Sequence, residues 1–394
     1  MKVRLRDVAT VINGVTYKPS DIRYPSCDGS IPILRATNIQ NGALDLSDTV
    51  YIDVNKVAQQ QMLQNGDIII CASSGSKNLV GKAAQITIVT PLSFGSFCKV
   101  VRPNNINPEY LYFFFQSPTY RHLISEASIG ANINNIRNSH ILDLQIPVPN
   151  INKQKNICEH LGSLSNQITK RNQQAIILDQ LVKSRFMEMF GEWPANSKNW
   201  PTGQIKDIVI DVKYGSSRPS SRDGKYPYLR MNNITYSGQL DLSDIKKITI
   251  PDNELENCSA RKGDVLFNRT NSRELVGKTC VYNQEQPMVI AGFIIRVRLN
   301  ETLMSPVFLS SFLNTDFSKH MLMHKCKSAI GQANINAQEM KNIKLYIPPL
   351  PLQQQFAAFV EKVDKSKFIV GARLAGRLCR KILTKLSLSE ADYD

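Results

Sequence analysis

Residues 28–39 read DGSIPILRATNI and residues 223–234 read DGKYPYLRMNNI, so one pattern occurs twice in the chain. GALDLSD at 42–48 then matches GQLDLSD at 238–244. Further matches follow in the same order: NGDIII at 65–70 with KGDVLF at 262–267, LVGK at 79–82 with LVGK at 275–278, IGANIN at 129–134 with IGQANIN at 330–336, and LQIPVP at 144–149 with LYIPPLP at 345–351. Matches in one order at a nearly constant offset indicate a duplication, so the chain contains two copies of one domain.

Each copy ends in a proline-rich segment, and a long proline-free stretch follows. In 151–189, apolar residues recur at steps of three and four: Ile157, Leu161, Leu164, Ile168, Ala175, Leu178 and Val182. The stretch 352–386 has Phe356, Phe359, Val363, Val370, Leu374, Leu378, Ile382 and Leu386. This spacing predicts two long amphipathic helices with coiled-coil character.

Within each copy, short apolar runs between Gly, Asn and Ser clusters predict strands, as at 67–71, 84–89, 263–267 and 289–297. Helical signals are few, and the clearest lie at 108–123 and 306–323. We therefore expect an α+β fold with two strand-rich domains, each followed by a long helix. The expected boundaries are 1–150, 151–192, 193–350 and 351–394.

The composition of the chain narrows the kinds of partner that it could bind. The 394 residues include 48 Lys and Arg against 33 Asp and Glu, a net charge of +15 that favours a polyanionic partner such as nucleic acid. The longest apolar run, 288–295, is far short of the roughly 20 residues that a membrane span needs. The eight cysteines form no CxxC pair, so we expect buried or unreactive thiols, and we expect the protein to be cytoplasmic.

Several strings resemble catalytic motifs, but the second copy argues against each of them. Asn107-Pro108-Glu109-Tyr110 resembles an adenine methyltransferase loop, yet its counterpart is Ser305-Pro306-Val307-Phe308, so both predict a helix start. SRELVGKT at 272–279 lacks the first glycine of a phosphate-binding loop. The ExK string at 339–341 does not recur in the first copy. These strings therefore predict no catalytic centre.

Basic helix ends also repeat. Arg121-His122 matches Lys319-His320, and His324 lies one turn further on. No Glu or Cys follows at a usual metal-ligand spacing, so phosphate contact and a solvated face are the two interpretations that remain.

Two diverged strand-rich domains, each closing with IGANIN or IGQANIN and a proline-rich stop before a long helix, resemble the specificity subunit of type I restriction and modification enzymes. Other elements similar to that family are IPVPNINKQKNI at 146–157, IPPLPLQQQFAAFV at 347–360 and SRFMEMFGEWPANSKNW at 184–200. The resemblance covers essentially the whole chain, although INKQKNI departs from the usual Pro-Leu and acidic or Gln-rich helix start.

The resemblance implies a non-catalytic DNA-binding subunit. Each domain, called a target recognition domain, would read one half of a split site in double-stranded DNA. The two helices would pack as an antiparallel coiled coil, with pseudo-twofold internal symmetry, and dock two modification subunits. Adenine methylation with S-adenosylmethionine would belong to those partners and cleavage to restriction subunits, so no cofactor is expected in this chain.

Two other functions compete with this one. A helical adaptor for protein assembly would also use both helices, with an incidental basic surface. A stand-alone DNA methyltransferase would need S-adenosylmethionine binding by this chain. Salt-dependent DNA affinity and cofactor binding distinguish the three.

Basic and amide positions that both copies share are candidates for phosphate contact or for scaffold, because both domains would grip the same DNA backbone. They pair as Lys18 with Arg218, Arg35 with Arg230, Asn38 with Asn233, and Lys82 with Lys278. For the asparagines, capping of a turn is the alternative, and for the basic residues it is solvation.

The loops that differ are candidates for base reading. After NGDIII the first copy has Ser73-Ser74-Gly75-Ser76-Lys77-Asn78, and after KGDVLF the second has Asn268-Arg269-Thr270-Asn271-Ser272-Arg273. Arg pairs bidentately with guanine and Asn with adenine in the major groove, so Ser74, Lys77, Asn78, Asn268, Arg269, Asn271 and Arg273 are candidate DNA contacts. Asn334 and Asn336 are the second choice, and a solvated hairpin is the alternative.

Overall fold

The structure is a computed structural model of the chain. It describes residues 2–25, 27–75, 79–87, 91–128, 135–329 and 332–370. The described residues form two compact units that divide between Arg171 and Asn172, inside a long helix. The first unit contains the first strand-rich domain, and the second unit contains the second domain.

The first domain is built mostly from short strands. They are β1 (Lys2–Arg4), β2 (Ala9–Asn13), β3 (Ile22–Arg23), β4 (Ser30–Leu34), β5 (Ile39–Gln40), β6 (Ala43–Leu44), β7 (Val50–Asp53), β8 (Ile68–Cys71), β9 (Ala83–Gln85), β10 (Ser93–Phe94), β11 (Cys98–Pro103) and β12 (Gln145–Pro147). Its helices are α1 (Pro108–Gln116), α2 (Pro118–Ser128) and α3 (Asn138–Leu142), and α4 (Ile151–Phe190) follows the domain.

Two four-stranded sheets organise this domain, in the orders β2-β11-β8-β9 and β10-β4-β7-β3. The central strand β8 is buried on both faces. Ile68 and Ile70 pack in the core with α1 and α2, whereas Ile69 and Cys71 pack in a separate core with Leu34. A continuous apolar run is what a strand covered on both faces requires.

The second domain repeats this plan. Its strands are β13 (Thr202–Gln204), β14 (Val209–Tyr214), β15 (Tyr226–Leu229), β16 (Lys246–Ile248), β17 (Ser259–Ala260), β18 (Val265–Asn268), β19 (Thr270–Asn271), β20 (Thr279–Val281), β21 (Met288–Ile290), β22 (Ile294–Leu299), β23 (Lys327–Ala329), β24 (Gln332–Asn334) and β25 (Lys344–Tyr346). Its helices are α5 (Asp252–Cys258), α6 (Pro306–Leu313), α7 (Asp316–Lys325) and α8 (Ala337–Lys341), before α9 (Leu350–Val370).

The order β14-β22-β18-β20 in the second domain matches β2-β11-β8-β9 in the first. The parallel pair of β15 with β21 likewise matches that of β4 with β10. Both α1 and α6 begin at the predicted prolines. The predicted α+β class and the duplication are therefore confirmed.

The shared Gly-Asp string before the central strand has a structural role. Asp67 is buried, accepts the Gln64 backbone N–H at 2.8 Å and pairs with Arg102 at 2.8 Å. Asp264 accepts the Arg261 N–H at 2.8 Å and pairs with Arg298 at 3.0 Å. Each carboxylate thus closes the turn into the strand and anchors a neighbouring strand, which explains why both copies keep it.

The long helices begin close to the predicted positions. Helix α4 starts at Ile151 and ends at Phe190, and α9 starts at Leu350, while 371–394 lie outside the described residues. In the second unit the rings of Phe186 and Phe356 are 5.4 Å apart, and Lys367 Nζ lies 2.6 Å from Asp179 Oδ1. Asp179 precedes Phe186 in α4, whereas its partner Lys367 follows Phe356 in α9. The two helices therefore pack antiparallel. The finer division into four segments stays a prediction.

Both helix starts are fixed by a buried glutamine. Gln154 donates to the Pro149 carbonyl at 2.8 Å and accepts the Asn107 N–H at 2.9 Å. Gln353 donates to the Pro348 carbonyl at 2.7 Å and accepts the Ser305 N–H at 2.8 Å. The two starts are therefore equivalent although INKQKNI departs from the expected pattern. No helix within the described ranges is long and apolar enough to cross a membrane.

Candidate nucleic-acid interface

The candidate loops begin where the central strands end. Cys71 N–H donates to the Lys82 carbonyl at 2.8 Å, and Asn268 N–H donates to the Lys278 carbonyl at 2.8 Å. These bonds make Asn268 the counterpart of Cys71, and Arg269 the counterpart of Ala72. The first copy therefore has no basic residue opposite Arg269.

The second loop is part of a three-stranded sheet, β19-β24-β23. Thr270 pairs with Asn334, and Ile335 N–H donates to the Arg269 carbonyl at 2.9 Å. The two segments proposed separately for base reading thus lie side by side, although more than 60 residues separate them in the sequence. Asn336 instead caps α8 by accepting the Glu339 N–H at 2.8 Å.

The first domain forms the same junction. Ser73 bridges to Asn135, and Ile136 N–H donates to the Ala72 carbonyl at 2.7 Å. By this pairing the counterpart of Asn334 is Asn135, not Asn132 as the ANIN strings suggest. IGANIN itself, 129–134, lies outside the described residues.

Arg269 is half-buried and stacks on an aromatic ring. Its guanidinium carbon lies 4.8 Å from the ring centre of Tyr214, a cation–π arrangement. The Tyr214 hydroxyl accepts the Ala337 N–H at 2.8 Å, which fixes the ring. The Nε of Arg269 is buried without a hydrogen-bond partner among the described residues. The repeat in the sequence does not indicate Tyr214, because the matching strand of the first copy, β2, ends in Asn13.

The other polar residues of this loop differ in exposure. Arg273 is exposed, and its Nε donates to the Met323 carbonyl at 3.1 Å. Asn271 is half-buried and accepts the Ser272 N–H at 2.9 Å. Asn268 is fully buried at the end of β18, so it is not presented at the surface as predicted.

The shared Arg and Asn positions hold a turn. Arg35 pairs with Asp48 at 2.7 Å, and buried Asn38 donates to the carbonyls of Asp45 at 2.7 Å and Asp48 at 2.9 Å. The second copy repeats this arrangement: Arg230 pairs with Asp244 at 2.7 Å, and Asn233 donates to Asp241 at 2.8 Å and Asp244 at 3.2 Å. For the two asparagines, capping of a turn explains the repetition, because their amide groups are enclosed in their own domain.

Lys278 is also internal. Only 7% of it is exposed, and its ammonium donates to the carbonyls of Met231 at 2.9 Å and Ile234 at 2.6 Å. Burial lowers the pKa of this lysine. The prediction of a phosphate contact is therefore corrected to a structural role, since the charge is already held by the fold. Its counterpart Lys82 is half-buried.

Among the remaining candidates, Lys18 is exposed and Ser74 is half-buried. Arg218 is exposed and pairs with Glu254 at 2.8 Å, which raises the pKa of the guanidinium. Lys77 and Asn78 lie outside the described residues. The exposed positions stay predictions as DNA contacts.

The basic residues predicted at helix ends, Arg121 and Lys319, instead lie near the starts of α2 and α7 and contact their own domain. Arg121 Nη1 donates to the Val80 carbonyl at 3.0 Å, and Lys319 lies over the Tyr236 ring at 3.5 Å. The rings of His320 and His324 are 5.7 Å apart. Across the residues that the structure describes, no three His, Cys, Asp or Glu side chains are grouped to hold a metal ion.

Comparison with known proteins identifies the family. The model for the type I restriction modification DNA specificity domain matches residues 1–178 and 197–373. The EcoKI specificity subunit of Escherichia coli K12, a type I restriction enzyme subunit, is 32% identical over 96% of this chain and 86% of its own length. The StySPI specificity subunit of Salmonella potsdam is 31% identical over 90% and 80%.

A solved structure supports the fold. The type I restriction-modification S subunit from M. genitalium has a TM-score of 0.54 at 15% identity and covers 98% of this chain and 95% of its own. A family match to both copies and relatives over nearly the full length agree with the duplicated architecture. The chain therefore belongs to the family of DNA specificity subunits of type I restriction-modification systems.

Proposed function

We propose that each domain reads one half of a split site in double-stranded DNA, at the surface where β8 or β18 ends. The observation that supports this most is the duplication: the two domains share strand order and junction, but differ at the reading surface. Where the first domain has Ala72, the second has Arg269, a bidentate donor of the kind that recognises guanine. One scaffold with two different surfaces suits two different half-sites.

The proposed contacts are limited to candidates that reach the surface. In the second domain these are Arg269, Asn271 and Arg273, with Arg218 and Arg230 as phosphate contacts. In the first they are Ser74, Lys18, Arg35 and Lys82, while Lys77 and Asn78, which lie outside the described residues, stay candidates from the sequence alone. We leave out Asn38, Asn233, Asn268 and Lys278, because each is less than one-tenth exposed and its polar groups face its own domain.

The partners are two modification subunits, which would bind S-adenosylmethionine and methylate adenine, and restriction subunits where the system cleaves. Exposed apolar residues of α4 support docking of a protein: Ile176, Ile177 and Leu181 are 57%, 60% and 46% exposed. Exposed apolar clusters of this kind mark protein contacts. The proposal places the assembled complex with DNA in the cytoplasm.

The test is to map methylated adenines on DNA exposed to this chain with its modification subunits. Two short specific sequences separated by an unread gap are expected, with affinity that falls steeply as salt rises. A salt-insensitive complex without sequence preference would favour the adaptor. Binding of S-adenosylmethionine by this chain alone would favour the stand-alone methyltransferase.

A further inference from the structure

Both domains expose a phenylalanine beside the candidate loop. Phe97 lies between β10 and β11 and is 66% exposed, and Phe293 lies between β21 and β22 and is 49% exposed. The Phe97 carbonyl accepts the Ala72 N–H, and the Phe293 carbonyl accepts the Arg269 N–H, each at 2.9 Å. The two rings therefore occupy equivalent positions, next to the first residue of each loop.

Backbone hydrogen bonds close these two turns. Cys98 N–H closes the first turn on the Gly95 carbonyl at 2.8 Å, and Ile294 N–H closes the second on the Ala291 carbonyl at 2.8 Å. A second segment crosses each turn closely. A Cβ on Gly14 would lie 2.1 Å from the Gly95 carbonyl oxygen, and one on Gly215 would lie 2.1 Å from that of Ile290. The exposed rings are thus not needed to hold the turns.

The phenyl ring that both domains expose is suited to contact an apolar group of a ligand. Positions kept in both copies are scaffold or common DNA contacts, and a side chain that is about half exposed or more contributes little to the scaffold. A phenyl ring offers no hydrogen bond to phosphate. In the second domain the neighbouring Arg269 is stacked on Tyr214, so aromatic and cationic groups lie on one surface. This combination is typical of nucleic-acid contacts.

We propose that Phe97 and Phe293 each contact the C5 methyl group of a thymine in the major groove, one in each half-site. This inference rests on the proposed function. The methyl group is the apolar feature of the major-groove edge, and phenylalanine is among the residues that contact it. Because the two rings are equivalent, the thymines take matching places in the two half-sites.

The test combines protein and DNA changes. Full-length chains with Phe293→Ala or Phe97→Ala are assembled with the modification subunits and bound to the cognate duplex, in which uracil replaces each thymine in turn. Uracil lacks only the methyl group. At one thymine of the second half-site, wild type is expected to lose about fourfold in affinity, the value of one buried methylene-sized group.

The Phe293→Ala complex should bind the unmodified duplex about fourfold more weakly than wild type does. Uracil at that one position should not lower its affinity further. Its binding to the first half-site should not change, and Phe97→Ala should give the mirror result. Ile210→Ala in the second domain and Ile22→Ala in the first remove side chains that are 69% and 48% exposed. These control variants should bind like wild type.

If the wild-type complex keeps its preference for a bipartite site, two results would overturn the inference. In the first, the Phe variants weaken binding to all sequences alike and the uracil effect persists, which indicates contact with the DNA backbone. In the second, the variants bind DNA normally but no longer assemble with the modification subunits, which indicates a protein-docking surface. Loss of bipartite preference in wild type would instead contradict the proposed function itself.

Discussion

At the residue scale, Lys278 shows how a repeated basic residue serves the fold. Replacing it with Met removes an ammonium that two backbone carbonyls accept from. Because those buried carbonyls would lose their donor, we expect a loss of about 1–3 kcal/mol in the free energy of unfolding. Thermal or denaturant unfolding of the full-length chain measures it.

The matched control is Lys262→Met, since the Lys262 side chain is 61% exposed and its replacement should leave stability within about 0.5 kcal/mol. The salt dependence of DNA binding should not change in Lys278→Met protein that remains folded. If a stable Lys278→Met variant instead shows a slope of log affinity against log salt concentration that is smaller by about one, Lys278 contacts a phosphate.

Arg269 gives the contrasting prediction. Arg269→Ala should cost about 1–3 kcal/mol in DNA binding and relax the choice of one base in the second half-site, because a bidentate contact is lost. Arg261→Ala, at a side chain that is 55% exposed, is the control and should keep base preference. Binding of a randomised second half-site measures both. If Arg269→Ala weakens binding to every sequence equally, Arg269 contacts the phosphate backbone and does not read a base.

These residues also mark the limit of sequence reasoning. The repeat shows which positions both copies keep, but a residue can be shared because the fold needs it or because the ligand does. Asn38 and Asn233 recur because backbone carbonyls accept from their amides, and the ammonium of Lys278 is likewise held by two carbonyls; only burial reveals this. Tyr214 has no aromatic counterpart in the first copy, so no repeat could have indicated it.

At the element scale, Gln353 holds the start of α9 against the loop before α6. Gln353→Ala would leave the Ser305 N–H and two carbonyls without their buried partner. We expect a loss of about 1–3 kcal/mol in stability, because these groups lose their hydrogen bonds out of contact with water. The neighbouring exposed Gln354→Ala is the control. Equal unfolding midpoints for the two variants would contradict this role.

The pattern of elements was more predictable than their pairing. Proline placement and apolar spacing predicted the starts of α1, α4, α6 and α9, because these signals are local. The pairing of Thr270 with Asn334 joins distant segments, and very short strands carry almost no periodicity. The sequence therefore indicated both segments as candidates without showing that they form one surface.

At the scale of the whole molecule, the duplication is the central fact. Each copy has its own sheets and hydrophobic core, to which the long helices add Cys158 in the first copy and Phe186, Phe190 and Phe356 in the second. The excess of basic residues suits a ligand with a charged backbone. We therefore expect sequence recognition to be modular, with one half-site read by each domain.

Exchange of one domain tests this claim most directly. Residues 1–150 are replaced by the corresponding domain of a family member with a different specificity, and methylated adenines are mapped with the assembled complex. We expect one half of the recognised sequence to change while the other half stays as in wild type. A change in both halves, or in neither half of an active complex, would contradict this claim.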